Sequence, residues 1–110
     1  MPTTFRHSVN KGIGTDAVDV VQIPVGLRAT VIGCNLSNAT EYDTINVDVW
    51  VVSEDSVAAH YIRGLTIPPN SAVKLITNGE KLILPETAGL RIKSDTAASL
   101  DAVISYVEIS

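Results

Sequence analysis

The sequence predicts an all-β fold: a single-domain antiparallel β-sandwich of jelly-roll or Greek-key type with about eight strands. Three observations carry that expectation. Val, Ile and Thr are abundant, and branched side chains suit a pleated, half-buried surface better than a helix. Apolar and polar residues alternate over successive short runs, most cleanly in "TINVDVWVV" at 44–52. Turn residues interrupt these runs at spacings of about 8 to 12 residues, as in a sandwich or barrel. At 110 residues the chain has room for one core, and 45% hydrophobic with 18% charged residues is the composition of a folded globular domain.

Taken from the N-terminus, residues 1–10 precede the first clear apolar alternation and read as an arm, which leaves 11–110 for the sandwich. Phe5, Arg6 and His7 make that arm a candidate tether that orders on meeting a partner. The runs "DAVDVVQI" (16–23) and "RATVIGCNLS" (28–37) are strands flanking the corner Ile23-Pro24-Val25-Gly26. Proline ends the ladder there because it lacks an N–H, and Gly26 tolerates the backbone of a tight turn. Gly33 inside the second strand predicts a bulge or a close backbone approach.

In 44–52, Ile45, Val47, Val49 and Val51 share one face while Asn46, Asp48 and Trp50 share the other, which describes a strand buried on one side. A one-turn helix is expected around Asp55–Ala59, then a short strand at 58–63. The segment "LTIPPNSAVKLI" (65–76) repeats the grammar of strand, corner and strand, with Ile67-Pro68-Pro69-Asn70 echoing the earlier corner. Asn78-Gly79 between "AVKLIT" and "EKLILP" is the sequence signal of a type I′ hairpin. A turn at Ala88-Gly89 leads into a strand with Leu90 and Ile92 inward and Arg91 and Lys93 outward, and "LDAVISYVEIS" closes the chain.

The catalytic and binding templates find little to hold. The net charge is −4, and the basic residues Arg6, Lys11, Arg28, Arg63, Lys74, Lys81, Arg91 and Lys93 are scattered, which argues against a grip on nucleic acid. No apolar run approaches the roughly 20 residues of a membrane-spanning helix, and the first residues lack the apolar core of a secretory signal. Cys34 stands alone in an apolar strand without basic neighbours in sequence, so it reads as a small hydrophobe rather than a nucleophile. His7, Cys34 and His60 lie too far apart to suggest a metal site. Acids such as Glu41, Asp43, Asp48, Glu54 and Asp55 fall at corners and outward positions, where they keep strands soluble, and they form no calcium loop. Phosphate loops and nucleophile elbows are not present in the sequence. The expectation is a non-enzymatic protein with no cofactor and no metal, binding neither nucleic acid nor membrane.

Two sequons, Asn35-Leu36-Ser37 and Asn38-Ala39-Thr40, read as accidents of a polar corner. Trp50 and Tyr61 are candidates for contact with another subunit; joined by Tyr42 they could instead form a sugar-binding platform. Trp50 and Val52, with Val21, Ile32 and Ile104, are more outer-face apolar residues than a lone sandwich needs, and such a surplus marks association.

The order of these elements also carries a resemblance. The Ile23–Gly26 corner comes first, then the Gly33–Asn38 stretch, the alternating strand at 44–52 and the Ile67–Ser71 corner. The Leu84–Ile92 element and a last strand ending in Glu108-Ile109 follow. From Asn10 to Ile109 this resembles the small β-sandwich virion structural proteins of tailed bacteriophages. Leu90 stands where an acidic residue often follows the late glycine, so no role of that acid carries over. The resemblance implies a capsid cement or decoration protein that stabilises the particle, or else a tail, neck or fibre component. It implies a homo-oligomer such as a trimer, bound to the major capsid protein or another virion protein and placed on the capsid surface ahead of the tail or neck. A carbohydrate-binding module for host recognition is the reading from a different class.

Overall fold

The structure, a computed structural model, describes residues 3–76 and 82–110. It contains β1 (Thr3–Ile13), β2 (Val18–Gln22), β3 (Arg28–Asn38), β4 (Ile45–Val52), β5 (Ala58–Ile67), β6 (Ala72–Ile76), β7 (Leu82–Leu84), β8 (Gly89–Ser94) and β9 (Leu100–Ile109). The chain behaves as one long hairpin whose tip is the β4–β5 turn: β1 pairs with β9, β2 with β8, β3 with β6 and β7, and β4 with β5, all antiparallel. Rolling that hairpin up brings β9 against β3 and β8 against β4. The result is a larger sheet ordered β1-β9-β3-β6, with β7 also on β3, packed on a smaller sheet ordered β2-β8-β4-β5. That wiring is the jelly roll.

Alternation explains which side of each strand is buried. Val31, Leu36, Leu100, Ala102 and Ile104 of the larger sheet meet Ile45, Val47, Val49, Leu90 and Ile92 of the smaller one, all essentially excluded from solvent. Each such aliphatic side chain contributes about 1.5–3 kcal/mol on burial. Gly89, at the start of β8, lies where a Cβ would strike the backbone carbonyl of Val21, so the close approach of β2 to β8 requires glycine there.

Polar residues close one end of the roll. Asn38, buried at the end of β3, donates its amide to the carbonyls of Asp43 (2.7 Å) and Ile67 (2.9 Å). Its Oδ1 accepts from the backbone N–H (2.9 Å) and hydroxyl (2.7 Å) of Thr40. One side chain thereby joins the larger sheet, the β3–β4 loop and the end of β5. The second sequon is therefore a structural corner rather than an exposed acceptor.

Several expectations change on contact with the structure. Residues 3–10, expected as an arm ahead of the first strand, form most of β1, paired with β9 from Thr3↔Ile109 onward. The strands at 58–63 and 65–67 are one strand, β5, which carries register shifts against β4 rather than a break. In place of a helical turn at Asp55–Ala59, a tight turn joins β4 to β5, with Ser53 N–H donating to the Val57 carbonyl at 2.9 Å. Asn78-Gly79 lies outside the described residues. Its flanking strands, however, both run antiparallel to β3, β6 beside Cys34–Ser37 and β7 beside Ala29–Val31. They therefore run in the same direction, which the two arms of a hairpin cannot do. Val21 and Ile104, expected among outer apolar residues, belong to the core.

Candidate functional site

The outer faces of the two sheets carry the side chains that the sequence singles out, and they divide them. Phe5 and His7 project from the outer face of the larger sheet, whereas Trp50 and Tyr61 belong to the smaller sheet. Arg6 points to the other side of β1 from Phe5 and His7. Its Nε meets Oε1 of the buried Glu108 at 2.7 Å, an ion pair that ties β1 to β9. Ser8 and Asn10 follow Arg6 on that inward side: the Ser8 hydroxyl donates to the Val20 carbonyl at 2.6 Å, and the Asn10 amide donates to Ser8 at 2.9 Å. Edge strand β1 is thus held inward largely by polar contacts and turns Phe5 and Val9 outward, with Ile13 at its end reaching the core.

Only Phe5 and Val9 are apolar in this stretch, and the inward positions Arg6, Ser8 and Asn10 are polar, so no clear core-strand pattern is visible here in the sequence. Of the ten exposed large apolar side chains among the described residues, Phe5, Val9, Ile32, Ile83 and Val103 lie on the outer face of the larger sheet. Phe5 is 78% exposed, Ile83 70% and Val9 67%. Register places them in transverse rows. One row runs Phe5, Val107, Thr30, Ile83 across four strands; another runs Val9, Val103, Asn35, Lys74. Between them lies a row of small side chains, Ser105 and Gly33, entered from β1 by His7. The bulge between Val31 and Gly33 brings both Ile32 and Gly33 to this outer side and returns Cys34 to the core.

On the smaller sheet a single row crosses all four strands: Asp19 of β2, Arg91 of β8, Trp50 of β4 and His60 of β5. Arg91 Nε donates to Asp19 at 2.8 Å, and the Trp50 and His60 rings lie 4.9 Å apart, tilted by 38°. Sequence reasoning misses this row, because only pairing register brings residues 19, 60 and 91 beside Trp50. Next to it, Asp48 accepts from the Gly64 N–H at 2.8 Å and stands opposite Lys93.

Titration adds little reactive character. Burial pushes the Cys34 thiol up to about 11, the opposite of what a nucleophile needs. Asp95 titrates below the usual carboxylate range, chiefly because it accepts the Asn46 backbone N–H. Tyr106 is raised, first by burial and then by the nearby Glu108 carboxylate. Among the described residues, no three His, Cys, Asp or Glu side chains come together in a way that could hold a metal ion. The arrangement offers contact surfaces.

No family model matches the chain, and no curated protein matches it in sequence. Solved structures share its fold. A chain of the Bacillus endospore appendages, a family of disulfide-linked pili, is similar with a TM-score of 0.58 and 9% identity over 98% of this chain and 88% of that one. A chain of the acid-stable capsid of Helicobacter pylori bacteriophage KHP30 is similar with a TM-score of 0.57 and 13% identity over 98% of this chain and 93% of that one. A chain of infectious bursal disease virus, Gx strain, gives 0.55 and 9% identity over 97% of this chain but only 31% of its own length. What the chain has in common with these pilus and capsid chains is the β-sandwich fold.

Proposed function

We propose that the chain is a non-enzymatic structural protein of a tailed-bacteriophage particle, a capsid cement or decoration protein that stabilises the shell through contacts with its own copies and with the major capsid protein. The observation that carries this reading is the apolar outer face of the larger sheet, with Phe5, Val9 and Ile83 left in water. Isolated exposed apolar residues are ordinary, but a contiguous field of them marks an association surface. A subunit present in many copies buries such a field at every joint. The order of corners and strands that resembles phage virion proteins favours this setting, and the fold shared with a phage capsid chain agrees with it. Fold likeness alone does not assign a role.

A place in the tail, neck or fibres uses the same features. The carbohydrate-binding reading rests on a different observation, the Trp50–His60 pair on the outer face of the smaller sheet. One half-buried indole is a small platform for a sugar, so this reading stands second. Particles purified through a density gradient and washed in high salt test the first reading. The chain is expected in constant ratio to the major capsid protein; its loss from intact washed particles overturns the assignment. Binding of host polysaccharide that quenches Trp50 fluorescence, with no chain in the particles, moves the sugar reading to first place.

A further inference from the structure

We infer that the outer face of the smaller sheet holds a binding site for the terminal unit of an uncharged saccharide, in the pocket between Arg91 and the two turns that carry Ser56 and Thr87. The pocket has a volume of about 140 Å³ and is lined by Asp19 and Gln22 of β2, Gly89 and Arg91 of β8, Ser56 of the β4–β5 turn and Thr87 of the β7–β8 turn. Register explains its shape. The row next to Asp19, Arg91 and Trp50 consists of Gln22, Gly89 and Val52, and Gly89, already required by the close approach of β2, contributes no side chain to it. A depression is left between Gln22 and Val52, closed at its end by the two turns.

Both turns hold an uncommon backbone where they meet the pocket. Ser56 and Thr87 each have a φ of 64°, two of the four non-glycine residues in the left-handed region among the described residues. A residue branched at Cβ enters that region least readily, and strain of this kind collects at ligand clamps. Thr87 is fixed there by its N–H, which donates to the Ile23 carbonyl at 2.8 Å, while its hydroxyl reaches the Glu54 carbonyl at 3.4 Å and ties one turn to the other. Glycine adopts this backbone without steric cost. Threonine supplies a hydroxyl to the pocket wall instead.

The chemistry of the lining selects the ligand. Arg91 meets Asp19 through Nε, at 2.8 Å, and among the described residues its terminal amino groups, the Gln22 amide and the Ser56 hydroxyl have no hydrogen-bond partner. Donors and acceptors thus stand side by side, with one positive and one negative charge in balance. A carboxylate or phosphate meets its like in Asp19, and an ammonium meets its like in Arg91; a hydroxyl, which both donates and accepts, satisfies both. Val21 and Val52 add apolar wall, and Trp50, beside Arg91 in the register, extends the site toward His60. Hydroxyls next to apolar C–H faces are the chemistry of a sugar ring. Cavities for drug-sized ligands begin at roughly 300 Å³, so this smaller one takes a single terminal unit. The site rests on the carbohydrate-binding reading and deepens it, and it is independent of the virion assignment because it lies on the opposite sheet from Phe5 and Val9.

Titration of the folded protein followed by amide-resolved nuclear magnetic resonance is the experiment. The probes are glucose, galactose and mannose, each beside its uronic acid and its 2-amino sugar. At least one neutral sugar is expected to move the amides of Gln22, Thr87, Gly89 and Arg91, with a dissociation constant on the order of millimolar and tighter than either charged counterpart. Gln22→Ala and Thr87→Gly are each expected to weaken that binding at least about fivefold with unchanged far-ultraviolet circular dichroism, although glycine suits the backbone at 87. No response to any probe at concentrations on the order of tens of millimolar overturns the inference. So does tighter binding of a charged counterpart, or binding that survives both substitutions in folded protein. Shifts confined to another surface overturn this pocket and leave the carbohydrate-binding reading standing, and none of these results bears on whether the chain is found in particles.

Discussion

Single side chains decide whether the roll closes. Asn38 uses both amide hydrogens and its carbonyl oxygen, and it is buried. Asn38→Ala leaves the Ile67 carbonyl without this donor in the interior, a loss of about 2–4 kcal/mol, read as a lower urea midpoint with an unchanged slope. Cys34 illustrates the opposite case, a reactive group made inert. A thiol pushed from 9.0 up to about 11 carries roughly a hundredfold less thiolate at pH 8 than an ordinary one, and burial shields it further. Native protein is expected to react with a thiol reagent at least about a hundredfold more slowly than urea-unfolded protein. The same shift has a sign for stability. The folded thiol holds its proton above the unfolded value, so this contribution is complete below pH 9 and is lost as pH rises through about 11.

At the scale of elements, β1 is the strand whose attachment differs in kind. Its inward row, Arg6, Ser8 and Asn10, replaces an apolar seam with an ion pair and hydroxyl contacts. Arg6→Ala leaves Glu108, only 8% exposed, without its cation, and is expected to cost about 1–2 kcal/mol given that Arg6 itself is more than half exposed. Hydrogen exchange localises the effect: amides of β1 paired with β9 lose protection while those of β4 and β8 keep theirs.

This strand also shows where sequence reading stops. Strands β2, β3, β4, β8 and β9 are legible because apolar residues alternate in them, and Pro24, Gly26 and Gly89 mark ends of β2, β3 and β8. In β1 the inward row is polar, Arg6, Ser8 and Asn10, so the apolar alternation that identifies a core strand is weak there and the segment reads as an arm. The Asn78-Gly79 signal misleads for a related reason. Local turn chemistry specifies a hairpin, but β6 and β7 each pair instead with β3, more than 30 residues away along the chain. Trp50 could be placed on an outer face from alternation alone. Its neighbours His60, Arg91 and Asp19 could not, because register between distant strands is set by the whole roll.

For the whole molecule, the jelly roll makes most contacts non-local: β1 pairs with β9 across nearly the full chain. Loop closure must precede that pairing, so folding is expected in milliseconds to seconds rather than microseconds, followed by Trp50 fluorescence in stopped flow. The domain measures 47 × 26 × 21 Å, and its sheets present two faces of different chemistry. One carries exposed Phe5, Val9, Ile32 and Ile83. The other is crossed by the Asp19, Arg91, Trp50, His60 row. A body with two unlike faces suits a component that meets its own copies on one side and a different surface on the other. Immunogold electron microscopy, with antibody to the purified domain and particles from the culture that produces the chain, tests the virion role most directly. Regular labelling over intact particle heads is the predicted result, and unlabelled particles beside free protein in the lysate would contradict it.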